Sequence, residues 1–226
     1  MELIKGCNLK ECINKKGHLS SSECALIFEV LLNILEYLHS IEIIHRDIKP
    51  ENIIIRSSII SRENIYLVGF DHAVFKKDIR FSVLYGGSPG YIAPELFSSI
   101  QLILESDNLY DEKCDYFSLG ITIYYAIFSK MPYESQEISD LLNLNKKCKF
   151  LFEKNEKFQF FKKDLLAFLE NNPHQRRGAD KKLNSIFLFN LFTYDDEDFD
   201  EINGKPVTEK ISWLKNVEEK RKMSID

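Results

Sequence analysis

The chain has 226 residues with a formal net charge of −5, 44% hydrophobic and 29% charged. These are ordinary values for a soluble globular protein with material for one large core. The acidic balance gives no electrostatic reason to expect nucleic acid or an anionic membrane as partner. The opening MELIKGCNLK lacks the basic-then-apolar pattern of a signal peptide, and the uncharged run Tyr116 to Ser129 is too short to cross a bilayer. No membrane is expected, and a cytoplasmic location is. Five cysteines, Cys7, Cys12, Cys24, Cys114 and Cys148, are odd in number and contain no CxxC pair. That pattern predicts reduced thiols and argues against zinc at Cys7 and Cys12.

In chain order, the first clear element starts at Ser20-Ser21-Ser22-Glu23, with a serine cap and an acid in the first turn. Leu26, Ile27, Val30, Leu31, Ile34, Leu35 and Leu38 then keep helical spacing to His39. Ile53 to Ile55 and Ile65 to Val68 are short β-rich runs, predicting a small antiparallel pair around RSSIISREN. Gly86, Gly87, Pro89 and Gly90 exclude helix or central strand from the segment that follows. From Asp111 onward the pattern is helical, with a buried helix over 116–129 and further helices over 137–148, 161–171 and 180–192. The acidic stretch DFDEINGKPVTE at 198–209 imitates a calcium loop at Asp198, Asp200 and Glu209. Ile202 and Asn203 stand at its fifth and sixth places and Pro206 inside it, so it reads as an acidic tail.

Five motifs occur in fixed order: HRDIKPEN at 45–52, GFD at 69–71, GGSPGYIAPE at 86–95, YDEKCDYFSLG at 110–120 and NNPHQRRGA at 171–179. On these the chain resembles the C-terminal lobe of eukaryotic protein kinases, with YDEKCDYFSLG most similar to the calcium/calmodulin-dependent and calcium-dependent Ser/Thr group. The resemblance implies a mainly α fold with a small antiparallel β-ribbon. Residues 1–192 would form a kinase-like C-lobe starting at the hinge, and 193–226 an acidic, then mixed-charge tail. It also implies ATP and Mg2+ as cofactors and a protein substrate.

Residue by residue, the resemblance makes Asp47 the acceptor of the substrate hydroxyl proton, puts Lys49 near the transferred phosphoryl group and Asn52 on a magnesium ion. Ser88 stands where the family places a threonine against this loop, at the protein-substrate side. Glu2, Ile4, Glu51 and Ile54 fall on the nucleotide side. His45, Phe70, Glu95, Asp115 and Arg176 take structural positions: His45 and Phe70 in a packed spine, Asp115 as anchor of the catalytic loop, Glu95 as partner of Arg176.

Three departures bear on activity. Gly69 replaces the aspartate of D-F-G and offers no ligand side chain, while Asp71, two residues on, should start several ångströms away, since an extended chain rises about 3.3 Å per residue. No G-x-G-x-x-G and no V-A-I-K occurs, so the N-lobe is expected to be absent, with Met1 at the gatekeeper position. Leu84 stands where many kinases carry an activating phosphothreonine, which removes the usual partner of Arg46, and Asn8 replaces a ribose-side glutamate. Weak ATP binding and little transfer activity are expected. Three readings stay open: a truncated or impaired Ser/Thr kinase, a transferase missing upstream coding sequence; a pseudokinase scaffold or binding module; and a decayed fragment. An N-lobe-facing surface of Leu3, Ile4, Ile54 and Phe70 predicts self-association or a scaffold partner.

Overall fold

The computed structural model describes residues 4–17, 19–81, 86–96, 111–133 and 165–178. The first strand, β1 (Cys7–Asn8), runs directly into helix α1 (Leu9–Lys16). Asn8 explains the abrupt change. Its side chain accepts the Glu11 N–H at 2.9 Å while the Glu11 carboxylate accepts the Asn8 N–H at 3.2 Å, a reciprocal cap on a helix start. Lys15 and Lys16 lie in the last turn, where cations suit the helix dipole, and the helix stops at Gly17.

Helix α2 (Ser21–Ser40) starts with the same device: Ser20 Oγ accepts from the Glu23 N–H and Glu23 reaches back to the Ser20 N–H. Its Ile27, Phe28, Leu31 and Leu35 are buried on one face. The short strand β2 (Ile43–Ile44) follows and pairs antiparallel with β5 (Val74–Phe75). A second sheet has the order β1, β3 (Ile53–Ile55), β4 (Ile65–Leu67), with Ile54 opposite both Asn8 and Tyr66. The expected ribbon is therefore present, one residue shorter than Ile65 to Val68, and gains a third strand from the N-terminal segment.

Helix α3 (Lys113–Phe128) is the centre of the core. Every residue from Cys114 to Ala126 is buried, as an almost uniformly apolar helix requires. Its two interior hydroxyls are satisfied locally and across the core. Ser118 Oγ donates to Tyr91 O at 2.8 Å, and Thr122 Oγ1 to Ser118 O at 2.8 Å and Ile48 O at 3.4 Å. Phe28 of α2 meets Phe168 edge-on at 5.2 Å between centroids. No helix among the described residues is long and apolar enough to cross a membrane.

One expectation is corrected. Cys7 and Cys12 are joined as a disulfide, whereas Cys24 and Cys114 are buried thiols. The reason is local: five residues apart, on β1 and in α1, their Cα atoms come within 6.4 Å, inside the usual span for a disulfide. Spacing alone gave no CxxC sign of it. The expected helices over 137–148 and 180–192, the 193–226 tail and Cys148 lie outside the described residues, and of 161–171 the helical part described is 165–168.

Candidate active site

The loop after β2 is built around a buried carboxylate from α3. Asp115 has no exposed surface. Its Oδ1 accepts the Arg46 N–H at 2.7 Å, and Oδ2 accepts the His45 N–H at 2.9 Å and His39 Nε2–H at 2.9 Å. Two main-chain donors that the turn would otherwise bury unpaired are thereby satisfied. Arg46 turns the chain with φ 65 and donates from Nε to His72 O at 2.6 Å. The His45 ring donates from Nε2 to Val68 O at 3.1 Å and accepts the Asp47 N–H on Nδ1 at 3.2 Å, which fixes one neutral tautomer. Burial pushes the His45 imidazole below its ordinary value, despite the opposing charge of Asp115.

Asp47 is buried beside this turn. Its Oδ2 takes the Lys49 ammonium at 2.9 Å and an Asn52 Nδ2–H at 2.9 Å, and Asn52 also donates to the Asp47 carbonyl at 2.8 Å. Lys49 also donates to the Ser88 hydroxyl, so Asp47, Lys49, Asn52 and Ser88 form one cluster. Oδ1 of Asp47 is buried with no hydrogen-bond partner of ordinary geometry. Burial pushes the Asp47 carboxyl up, but the hydrogen bond from Lys49, with further help from Ser88, the Lys49 charge and Asn52, leaves it below the ordinary carboxylate range. The group is an anion whose Oδ1 is unpaired but shielded from solvent.

The metal side of the site is different. Gly69 is left-handed, φ 80 and ψ 50, and Phe70–His72 follows as a single 3-10 turn. A Cβ at position 69 would fall 2.5 Å from Asn52 Cγ and 2.6 Å from its Nδ2 and Oδ1. The Asn52 amide thus occupies the room a side chain at 69 would need, with its nitrogen committed to Asp47. Asp71 lies exposed in the turn, and no group of three or more His, Cys, Asp or Glu suited to a metal occurs among the described residues. The donor set does not fit the magnesium ion that the resemblance implies.

On the nucleotide side, Ile4 and Ile54 are half-buried, and Glu2 lies outside the described residues. Glu51 is gripped through Oε1 by Lys10 at 2.7 Å, and its Oε2 is buried with no hydrogen-bond partner of ordinary geometry. Asn8 spends its side chain on the α1 cap. Phe70 packs edge-on against His45 at 4.6 Å but remains 45% exposed. Farther away, Arg176 donates to Glu95 Oε1 at 2.5 Å and Oε2 at 2.8 Å. Ser82, Leu84 and Tyr85 lie outside the described residues.

Sequence reasoning missed α1, Lys10 and the Cys7–Cys12 link. Asn8-Leu9-Lys10-Glu11 is a helix-start signature that could have found the first. The Lys10–Glu51 pair joins residues 41 apart, a tertiary meeting with no local signal.

The chain matches the protein kinase domain over residues 1–188. It is similar to Serine/threonine-protein kinase 33 of Bos taurus, 32% identical over 199 residues, 83% of this chain and 39% of that protein. It is also similar to Calcium-dependent protein kinase 5 of Plasmodium berghei, 30% identical over 229 residues, 100% of this chain and 39% of that protein. A probable myosin light chain kinase of Dictyostelium discoideum is 32% identical over 186 residues, 81% of this chain and 36% of that protein. The chain therefore spans well under half the length of these relatives.

Proposed function

From the premise that the chain belongs to the eukaryotic protein kinase family, Ser/Thr type, we propose that it keeps the acceptor side of a phosphoryl-transfer site and has lost the metal side. On this reading it transfers phosphate to protein Ser/Thr very slowly or not at all, and engages protein partners as a kinase-like module. The observation that carries the reading is the Asn52 amide packed into the space beside Gly69.

The acceptor side rests on the unpaired, buried Oδ1 of Asp47, oriented by Lys49 and Asn52 on Oδ2. An anionic carboxylate with one free oxygen suits a substrate hydroxyl that must give up its proton as the phosphoryl group arrives. Lys49, bridging Asp47 and Ser88, would neutralise charge beside that hydroxyl. ATP and Mg2+ are the family's usual cofactors, and Mg2+ supplies charge neutralisation at the ATP phosphates when bound. Losing one preorganised stabiliser of this kind costs about 10²–10³ in rate. No phosphate-covering G-x-G-x-x-G occurs within these 226 residues, and such losses act as one unit rather than multiplying.

Thermal-shift titration tests the reading. Real Mg·ATP binding would add about 2.7 kcal/mol at a hundredfold excess over Kd; we expect no magnesium-dependent shift at sub-millimolar ATP. A clear shift overturns the loss of the metal side. A face of half-exposed Phe70 with Ile4 and Ile54 supports a partner or a second copy there. A monodisperse monomer that ignores hydrophobic dyes would count against it.

The short span relative to the relatives favours a second reading, in which the phosphate-covering segment lies outside these residues and the whole protein is active. Fusing a compatible kinase N-lobe ahead of Glu2 separates the two. Full activity with Gly69 and Asp71 in place supports the second reading and sinks the first.

A further inference from the structure

We propose that Cys7 and Cys12 form a reversible dithiol–disulfide pair, closed by a low-molecular-weight disulfide such as oxidised glutathione, which pins the start of α1 against the loop that carries Asp47 and Asn52. The pair is the accessible one among the described cysteines. Cys7 is half-buried on β1 and Cys12 is 8% exposed in α1, whereas Cys24 and Cys114 are each 1% exposed and out of reach of a small disulfide. A composition that predicts reduced thiols and a fold that brings two of them together are both accommodated by a pair that opens and closes.

The ring closed by the bond contains Lys10, which grips Glu51 at 2.7 Å in the Pro50–Asn52 turn. Lys10 and Glu51 side chains are 44% and 35% exposed, and an exposed pair contributes little when its lysine is free to wander. Cross-linking the residues on either side restricts that freedom. β1 is also the strand neighbour of β3, with Cys7 opposite Ile55 and Asn8 opposite Ile54. The bond therefore ties α1 to the far end of the catalytic loop along two routes, the ladder and the ion pair.

The step balances. The Cys7 thiolate, the more accessible, attacks one sulfur of the added disulfide and displaces a thiolate. The Cys12 thiolate then attacks the Cys7 sulfur of the mixed disulfide and displaces the second. The two cysteine protons end on the two departing thiols, and two electrons pass from the cysteine pair to the added disulfide.

The test uses the whole 226-residue chain, equilibrated in glutathione buffers of graded redox ratio, quenched with N-ethylmaleimide and read by mass spectrometry. In oxidising buffer we expect the chain to lose two hydrogens and Cys7 and Cys12 to lose all alkylation, with dithiothreitol restoring both. Alkylation of both residues at every ratio, or a stable glutathione adduct on Cys7 without ring closure, overturns the proposal. Amide hydrogen exchange reads the coupling: exchange over 50–55 should be slower in the oxidised form. Cys12→Ser, or the half-buried Cys7→Ser where the former fails to fold, should remove the difference, and Lys10→Ala, which cuts the ion-pair route and leaves the ladder, should reduce it with the bond intact. A bond that forms with no change over 50–55 overturns the coupling.

Discussion

Arg176 holds both oxygens of Glu95 across 81 residues of chain, at 2.5 and 2.8 Å. The same guanidinium donates to Glu170 O at 2.8 Å and Lys113 O at 2.9 Å and lies 5.1 Å above the Phe117 ring. The Arg176 side chain has no exposed surface, so its charge has no recourse to water. Breaking a buried pair by removing one partner costs about 3–5 kcal/mol. Glu95→Gln should therefore lower Tm by roughly 6–20 °C in a chain of this size. Arg176→Lys should do comparably, since a lysine cannot reach two oxygens and the carbonyls together. Differential scanning calorimetry checks both; a shift under about 2 °C, less than 1 kcal/mol on the same scale, would mean that the pair is replaceable.

The packing of Asn52 against Gly69 makes a second, local prediction. A left-handed residue with a Cβ costs about 1–2 kcal/mol from backbone alone. At position 69 the Cβ would also press on Asn52 at 2.5 Å. Gly69→Ala should cost more than the backbone figure, and Asn52→Ala in the same chain should return the excess. A denaturation cycle over the two sites reads this coupling, and strict additivity would contradict it. By the same geometry, Gly69→Asp with Asp71→Gly gives magnesium-dependent stabilisation in a thermal-shift titration only if the Asn52 amide moves aside.

Stability should fall on mild acidification. The folded His45 value lies below the unfolded one of about 6.5, so the unfolded chain takes the proton more readily. The contribution of neutral His45 is complete above that unfolded value and declines as pH drops toward the folded one. Asp47 acts in the same direction at lower pH. Its folded value is depressed, so its contribution is present above the unfolded value of about 3.9 and is lost as pH falls through the folded one. Urea unfolding of the chain and of His45→Gln between about pH 5 and 7 should give a steeper slope in the former. Equal slopes would place the proton elsewhere.

Gly120, in the middle of α3, offers an opposed pair of effects. Alanine gains about 1 kcal/mol of helix propensity over glycine. Its methyl would meet Leu169 Cδ2 at 2.8 Å and Phe168 Cβ at 3.0 Å, and overpacking a core costs about 1–3 kcal/mol. Gly120→Ala should come out neutral to destabilising and Gly120→Val clearly destabilising. A stabilised alanine variant in urea would show that the 165–168 turn moves aside freely.

The legible parts of the fold were those decided by neighbours in sequence. Ser20 with Glu23, and the apolar spacing from Leu26 to Leu38, specify α2 because cap and face are local. Ile53 to Ile55 and Ile65 to Val68 read as strands because β-rich runs flank a polar turn. α1 was missed because its eight residues bury only Leu9, Cys12 and Ile13, too few for a clear period. At the site, Asp47, Lys49 and Asn52 could be found from motif order alone. The Asn52 amide beside Gly69 and the Lys10 grip on Glu51 could not, because both depend on where separate elements come to rest.

The carboxylate of Asp115 reaches His45 and Arg46 from 70 and 69 residues farther along the chain. That distance sets an order of events during synthesis. The ribosome makes all of β1, α1 and α2, and the whole 45–52 turn, before α3 exists. Until α3 docks, the main-chain N–H groups of His45 and Arg46 have only water, and the left-handed bend at Arg46 lacks its Asp115 anchor. Closing so long a loop makes this a late step in folding. A nascent chain arrested after residue 100 should thus leave the 45–52 turn open to proteolysis, and one that includes α3 should protect it.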